Sequence, residues 1–579
     1  MERALLYDMR HKVWLEFSGL MQQWLPKNAQ EYKLAFERAE QTAMKQNAWV
    51  VAAIPYEAAE ANLPWKNVKP ANFSTPFTCW IAIFANAEQH AQNPCSSGPA
   101  LLNNLAPQMS RTEYQQAFGD VKNNIAAGNT YQVNLTMRFL ATLQGSPEHL
   151  FSNMVAGQGV CYGAFLRFGG KTVCSASPEL FYEKIGKKVE CRPMKGTARR
   201  GRFLAEDDLA ARSLRASTKD QAENVMIVDM VRNDLGRIAE LGSVHVPSLY
   251  DVERYPTVLQ LTSTVRATTP ANNAEIFFAL FPCASITGAP KINTMKIINK
   301  LESDTRDLYC GSIGFIRPNG DSQFNVAIRT AVIDDATATL AYGAGGGVVW
   351  DSSEEGEYDE LLMKTKVLTQ PPATVRLKET LLWEGQKGFW LQDQHLQRLA
   401  RSCQYFGYPF DHSAVLAGLM ASVLGKETDV LKVRLLLDQY GRTDIEVMPV
   451  VEDPVGQPVL LQLTSEPIDE KERLYFHKTD QWEKLFPQRG ASPTQDYIYY
   501  NRQRQVTETA IANLIFVKDG VEYTPALQCG LLAGTYREHL LAQGDLVEKV
   551  ITVEELGGFD AVYVINSVRG KREAIIAPF

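Results

Sequence analysis

No two of the nine cysteines stand in a C-x-x-C spacing, and nine is an odd number. A disulfide framework and a cysteine-rich zinc module are thereby excluded, and buried free thiols in a reducing compartment are expected. The eight histidines do not cluster, which removes the common zinc-ligand patterns. No uninterrupted apolar run reaches the length a bilayer requires, and Met1–Gln22 mixes charged and apolar residues where a secretory leader would separate them. Lys and Arg (59) do not outnumber Asp and Glu (66), so the net charge of −7 leaves no basic excess to displace the counterions of a nucleic acid. Low-complexity tracts and internal repeats are missing too. These absences describe a cytoplasmic globular protein that meets neither nucleic acid nor membrane.

What is present is enough apolar chain for several cores. At 579 residues and 45% hydrophobic composition, the sequence exceeds what one core sustains. The sharpest punctuation is Thr369-Gln-Pro-Pro-Ala-Thr374, where paired prolines oppose both helix and central strand, so a linker is placed at 369–376. Before it, strand-like runs at 188–191 and 338–342 intersperse with helical patterns at 114–125 and 274–280. This is an α+β pattern, taken as an N-terminal part (1–110) and a catalytic region (111–368). After it, residues 377–579 carry a helix at 394–406 and strands at 430–437 and 561–565.

Two acidic pairs recur at helical spacing. Asp220 and Glu223 lie three apart in KDQAENVMIVDMVRNDLGR; Glu357 and Glu360 do the same in EEGEYDELLMKTK, with Lys364 four beyond. That spacing puts both carboxylates of a pair on one helix face. Two such faces brought together would make an oxygen-lined site suited to magnesium. Spacing alone fits two solvated helices with ordinary surface carboxylates at least as well. The glycine runs Gly343–Gly347 and Thr287–Lys291 read as turns whose amides can cradle an anion, or simply as tight turns. Gly159-Val-Cys-Tyr-Gly163 has the form of a glutamine amidotransferase nucleophile, but no histidine is followed two residues later by the glutamate that chemistry uses. Cys161 therefore reads as a core cysteine, and any step here that needs ammonia would take it free or from a separate glutamine amidotransferase subunit.

Cys191-Arg-Pro-Met-Lys-Gly-Thr197 resembles the signature of the chorismate-utilising enzymes. YQVNLT (131–136), SASPELF (175–181), VRNDLGRI (231–238), SITGAPK (285–291), YCGSIGF (309–315), NVAIRT (325–330) and GAGGG (343–347) are similar to that family's motifs and keep their order. Anthranilate synthases have alanine where this chain has Lys195; aminodeoxychorismate synthases have lysine. The resemblance implies a large anthranilate-synthase-like domain of layered β-sheets with flanking helices. It also implies that Lys195 attacks ring carbon 2 of chorismate while Glu179 protonates the departing 4-hydroxyl, and that ammonia then displaces the lysine by attacking carbon 4. Glu223 and Glu360 match direct magnesium ligands, with Asp220 and Glu357 as water-mediated partners. Arg329 and the amides of Gly345, Gly346 and Gly347 are the expected holders of substrate carboxylates, with Tyr309 and Thr287 as further contacts. Gln260 stands where many relatives carry a histidine associated with aromatising elimination, which agrees with a synthase that stops at the amino-chorismate.

Beyond the linker, HLQRLARSCQYFG (395–407), VTETAIAN (506–513), YTPALQCGLLAGTYR (523–537) and INSVRG (565–570) resemble the class IV pyridoxal-phosphate enzymes, with their α/β domain. The resemblance implies Lys478 as the Schiff-base lysine, Glu508 against the pyridine nitrogen, and Arg398, Gly534 and Thr535 at the phosphate. A Gly-Thr at a helix start offers amides, a hydroxyl and the helix dipole. Arg569 and Arg502 are candidates for the substrate carboxylate, Thr380 is placed near the cofactor, and pairing of two copies through this domain is implied. The family contains aminotransferases as well as a lyase. The fusion favours the lyase, because aminodeoxychorismate is what the first half would make. The expected outcome is 4-aminobenzoate and pyruvate from chorismate and ammonia; the alternative is a synthase joined to an amino-acid aminotransferase.

Overall fold

The computed structural model describes residues 2–62, 79–159, 162–369, 375–426, 430–450, 457–490, 492 and 494–578. Cys161 and residues 370–374 of the expected linker lie outside the described residues. The chain forms two compact units: Met1–Arg199 with Ala211–Pro372, and Arg200–Ala210 with Ala373–Phe579. Residues 200–210, expected within the catalytic region, thus belong to the second unit.

Among the described residues, the strand pairs of the first unit are antiparallel, in keeping with an α+β fold. The long strand Gln132–Gly145 is its axis, pairing along one edge with Thr339–Val348 and along the other with Ala100–Pro107 and Gly288–Ala289. Arg3–Asp8 pairs with Tyr162–Phe168 and Trp49–Ile54 with Ser312–Ile316, so residues 1–110 and 111–368 share one sheet system. The layering is written in single strands. Trp49–Ile54 is apolar nearly throughout; Val50, Ala52 and Ile54 enter one core, while Val51 and Ala53 enter another on the opposite face. Helices cover the sheets with ordinary start signals. Arg111–Ala126 opens on a Ser110–Glu113 capping box, and the Ser217 side chain caps Thr218–Gly236 by accepting from the Asp220 amide.

One expectation is corrected. Gly343–Gly347 is not a turn after a strand: it lies inside Thr339–Val348, opposite Arg138 to Asn134. The reason for glycine is close approach, since a Cβ on Gly343 would overlap the ring of Tyr309.

The second unit holds an antiparallel sheet of Leu377–Glu384, Val430–Leu437 and Thr443–Pro449, and a larger mixed sheet. In the latter, Val459–Leu463 runs parallel to Gln495–Ile498 and Gly570–Ile576. The helix Gln392–Phe406 turns Leu396, Leu399 and Cys403 into a core with Leu381, Val433 and Leu435, and ends at Gly407 in the left-handed region (φ 74°). The eight described cysteines are buried free thiols. Among the described residues, no helix is long and apolar enough to cross a membrane.

Candidate active sites

A cleft of about 270 Å³ opens in the first unit, and the strand Met194–Arg199 delivers Lys195 into it. That strand breaks register against Val258–Thr268 between Met194 and Thr197, with Gly196 at φ 98°. The bulge redirects the side chains beside it. A Cβ on Gly347 would collide with Nε2 of Gln132 and lie 2.7 Å from Nζ of Lys195. The missing side chain at Gly347 therefore lets a lysine amine and a glutamine amide meet above one strand. Burial lowers the Lys195 pKa, Glu223 opposes that shift, and Lys364 adds to it. Among the described residues no carboxylate is ion-paired with Lys195.

Glu179 faces the same cleft, 3% exposed, and Ser285 donates its hydroxyl to Oε1 at 2.5 Å. Burial raises its pKa to about 7 against the lowering effect of that hydrogen bond. A carboxyl that serves as an acid has to be protonated, so any turnover in this cleft that draws a proton from Glu179 should fall as pH rises through about 7. Ser285→Ala removes a bond that favours the charged form. The alkaline limb should then move to higher pH, while the maximal rate drops about tenfold. A pH profile with an unmoved limb would show that another group titrates.

Asp220, Glu223, Glu357 and Glu360 all line the cleft, contributed by the helices Thr218–Gly236 and Glu354–Thr369. Glu360 pairs with Lys364 at 2.7 Å, Lys364 also donates to the Gly345 carbonyl at 2.6 Å, and Glu357 accepts from Ser352 at 2.6 Å. Burial raises the pKa of both Glu223 and Glu357, and in each case the neighbouring Glu360 adds to it. Among the described residues no three His, Cys, Asp or Glu side chains converge closely enough to hold a metal ion by themselves. Crowded hard oxygen donors at an open cleft nevertheless suit magnesium, which keeps water or substrate oxygens for most of its shell.

Arg329, held at φ 52°, lines the cleft and donates to the Lys364 carbonyl at 2.9 Å; Tyr309, Gly345, Gly347 and Gln260 line it as well. Two sequence candidates sit elsewhere. Thr287 is fully buried with its hydroxyl donated to the Cys283 carbonyl, and the Glu357 carboxylate covers Gly346. Among the described residues, no strand pairs with the glycine-bearing strand beyond Tyr342 on the edge that Thr330–Asp334 occupies earlier, and there Lys364 reaches the Gly345 carbonyl.

The second unit has a cavity of about 70 Å³ lined by Lys478, Glu508, Arg398, Gly534 and Thr535. Burial, with Arg398 adding to it, lowers the Lys478 pKa to about 8. Glu508 accepts from the Leu532 amide at 2.9 Å and from Asn513 at 3.1 Å, and burial raises its pKa to about 8. Gly534 caps the helix Thr535–Gln543, whose start has no side-chain cap; a Cβ there would overlap Oδ1 of Asn513. Arg398 is forked onto Glu379 at 2.9 and 2.6 Å, and Glu379 also accepts from His395, whose other ring nitrogen meets Thr535 at 3.3 Å. An uncapped helix start, a fixed guanidinium and a buried lysine facing a buried carboxyl fit pyridoxal phosphate. Arg569 and Thr380 are not in the cavity wall, and Arg502 is 61% exposed at its side chain and pairs with Asp469.

The chorismate-binding enzyme model matches residues 7–370, and the class IV aminotransferase model matches 376–574. The chain belongs to the chorismate-binding enzyme family. Aminodeoxychorismate synthase component 1 of Klebsiella aerogenes is 38% identical over 316 residues, 54% of this chain and 65% of that one. The chain thus matches just under two thirds of the length of that relative. An isochorismate synthase of Bacillus anthracis shares the fold at 20% identity and TM-score 0.55, covering 64% of this chain and 96% of that one. Anthranilate synthase component I of Streptococcus pneumoniae does so at 21% and 0.51, covering 64% and 90%.

Several site residues escaped sequence reading. Ser285 stands inside a quoted motif, but nothing in its spacing announces a partner for Glu179. Gln132 is 1% exposed, and its amide has no hydrogen-bond partner among the described residues. Glu379 and His395 are brought together only by pairing of the helix Gln392–Phe406 with its strand.

Proposed function

We propose that residues 1–368 aminate chorismate to 4-amino-4-deoxychorismate and that residues 377–579 release pyruvate from that product, giving 4-aminobenzoate. The observation that carries the reading is a single cleft holding a desolvated amine, Lys195, together with a carboxyl kept protonated to about pH 7, Glu179. Lys195 in its neutral form attacks ring carbon 2 as Glu179 gives its proton to the 4-hydroxyl, which leaves as water. Ammonia then bonds to carbon 4 and the lysine departs with its electron pair. Magnesium, when bound, neutralises substrate carboxylate charge; Glu223 and Glu360 would hold it, with Asp220 and Glu357 acting through water. Arg329 offers a planar fork for a carboxylate. Gln260 accepts from Thr197 at 3.2 Å and has no basic nitrogen, so this cleft has no base at that position for aromatisation. Nitrogen comes as free ammonia or from a separate glutamine amidotransferase subunit.

In the second unit, pyridoxal phosphate supplies when bound an electron sink for negative charge on the substrate. Glu508 keeps a proton at the ring nitrogen, while Arg398, Gly534 and Thr535 hold the phosphate. Lys478, with a pKa near 8, takes the carbon-4 proton and returns one to the departing enolpyruvate. The test is product analysis of the purified protein supplied with chorismate, ammonium, magnesium and pyridoxal phosphate. Equal amounts of 4-aminobenzoate and pyruvate are expected. Anthranilate would sink the first assignment, and transamination of a keto acid would favour an aminotransferase in the second unit.

A further inference from the structure

The eleven residues Arg200–Ala210 follow the Lys195 strand directly in the chain, yet they are built into the second unit. Their seat is specific. Arg200 pairs with the fully buried Asp207 at 2.6 Å, stacks on the Tyr405 ring at 4.5 Å and donates to the Tyr405 carbonyl at 2.7 Å. Tyr405 returns a hydrogen bond from its hydroxyl to the Gly201 carbonyl at 2.7 Å. Arg202 lies over Phe476 at 4.6 Å and donates to the carbonyls of Glu470 (3.1 Å) and Gln528 (3.0 Å), while Phe203 stacks on the same Phe476 ring at 5.2 Å.

This seat converges on His477, the residue before Lys478. Its Nε2 lies 3.2 Å from the Arg202 carbonyl, its Nδ1 lies 3.0 Å from the Ser402 hydroxyl, and Tyr405 and Phe406 pack on its ring. A carbonyl only accepts, so Nε2 carries the proton and Nδ1 accepts from Ser402. Burial lowers the His477 pKa to about 3, which agrees with a neutral ring of fixed tautomer.

We infer that the segment Arg200–Ala210 is a working part of the pyridoxal-phosphate unit, and that its Arg202 carbonyl makes His477 a positioning residue for Lys478. The inference rests on reading Lys478 as the cofactor lysine. A side chain locked on two sides fixes the backbone on which the next residue stands, so loosening the segment alters the pose and surroundings of the Lys478 amine. The synthase-family sequence thereby supplies a component that a class IV domain starting at the linker would lack.

The test uses the full-length protein with pyridoxal phosphate and two readouts besides turnover: the rate of cofactor loss on dilution, and the pH midpoint of its visible absorbance. Arg202→Ala should lose cofactor about tenfold faster, the effect of one or two lost hydrogen bonds. Its absorbance midpoint should move, chorismate consumption should stay at the wild-type rate, and Arg202→Lys should restore part of the change. If Arg202→Ala does not fold, Phe203→Leu, which unstacks Phe476 and keeps the backbone, is read in its place. Wild-type cofactor retention and an unmoved midpoint in the variant overturn this proposal alone. A wild-type protein that binds no pyridoxal phosphate overturns the reading of the unit and this proposal with it.

Discussion

Lys195→Ala is expected to make neither aminodeoxychorismate nor 4-aminobenzoate from chorismate and ammonia, a loss of at least about 10³-fold, because the covalent route disappears with the nucleophile. The cleft should survive the change. Lys195 is ion-paired to no carboxylate among the described residues, and alanine leaves the bulge at Gly196 intact. The variant should therefore keep its cofactor absorbance and still convert supplied aminodeoxychorismate to 4-aminobenzoate. Residual amination at the wild-type rate would move the nucleophile elsewhere. Loss of both activities would point to collapse of the fold and not to chemistry.

Lys478→Ala separates the steps from the other side. Chorismate and ammonia should still be consumed, with aminodeoxychorismate accumulating and 4-aminobenzoate formation falling by about 10³-fold or more. The alanine also removes the buried amine that faces Glu508, so the visible band of the bound cofactor should shift or vanish. A variant that still aromatises at full rate would show that the second unit is not the lyase. The pair is more decisive than either variant alone, since each leaves the other step as an internal control.

How much was legible depended on whether a residue's role is local. The helical periodicity at 274–280 and the apolar alternation at 430–437 are local, and the elements Asn273–Leu280 and Val430–Leu437 follow them closely. Acidic pairs three apart gave the faces of two helices that line one cleft, although spacing could not bring those helices together. By composition the glycine run suggests a turn; it is a strand because Tyr309 and the Gln132–Gly145 partner hold it there. Ser285, Gln132 and His395 act across long sequence separations, and no single-sequence period encodes such a meeting. The excursion of Arg200–Ala210 had no signal at all, since Arg, Gly and Phe in a polar run look like any surface loop.

That excursion sets a timetable for the nascent chain. Ala210 leaves the ribosome 163 residues before Ala373, where the rest of its unit begins (373 − 210). At about 5–20 residues per second, the wait is roughly 10–30 s before even the first of its neighbours exists. Through that interval Phe203 and the Arg200–Asp207 pair have no aromatic seat. The first unit can gather Ala211–Pro372 onto its sheets meanwhile, so residues 200–210, which end in the first turns of the helix Leu204–Ala216, have to wait unseated until the C-terminal third is made. A single cut of the gene near codon 370 would strand that segment on the wrong product.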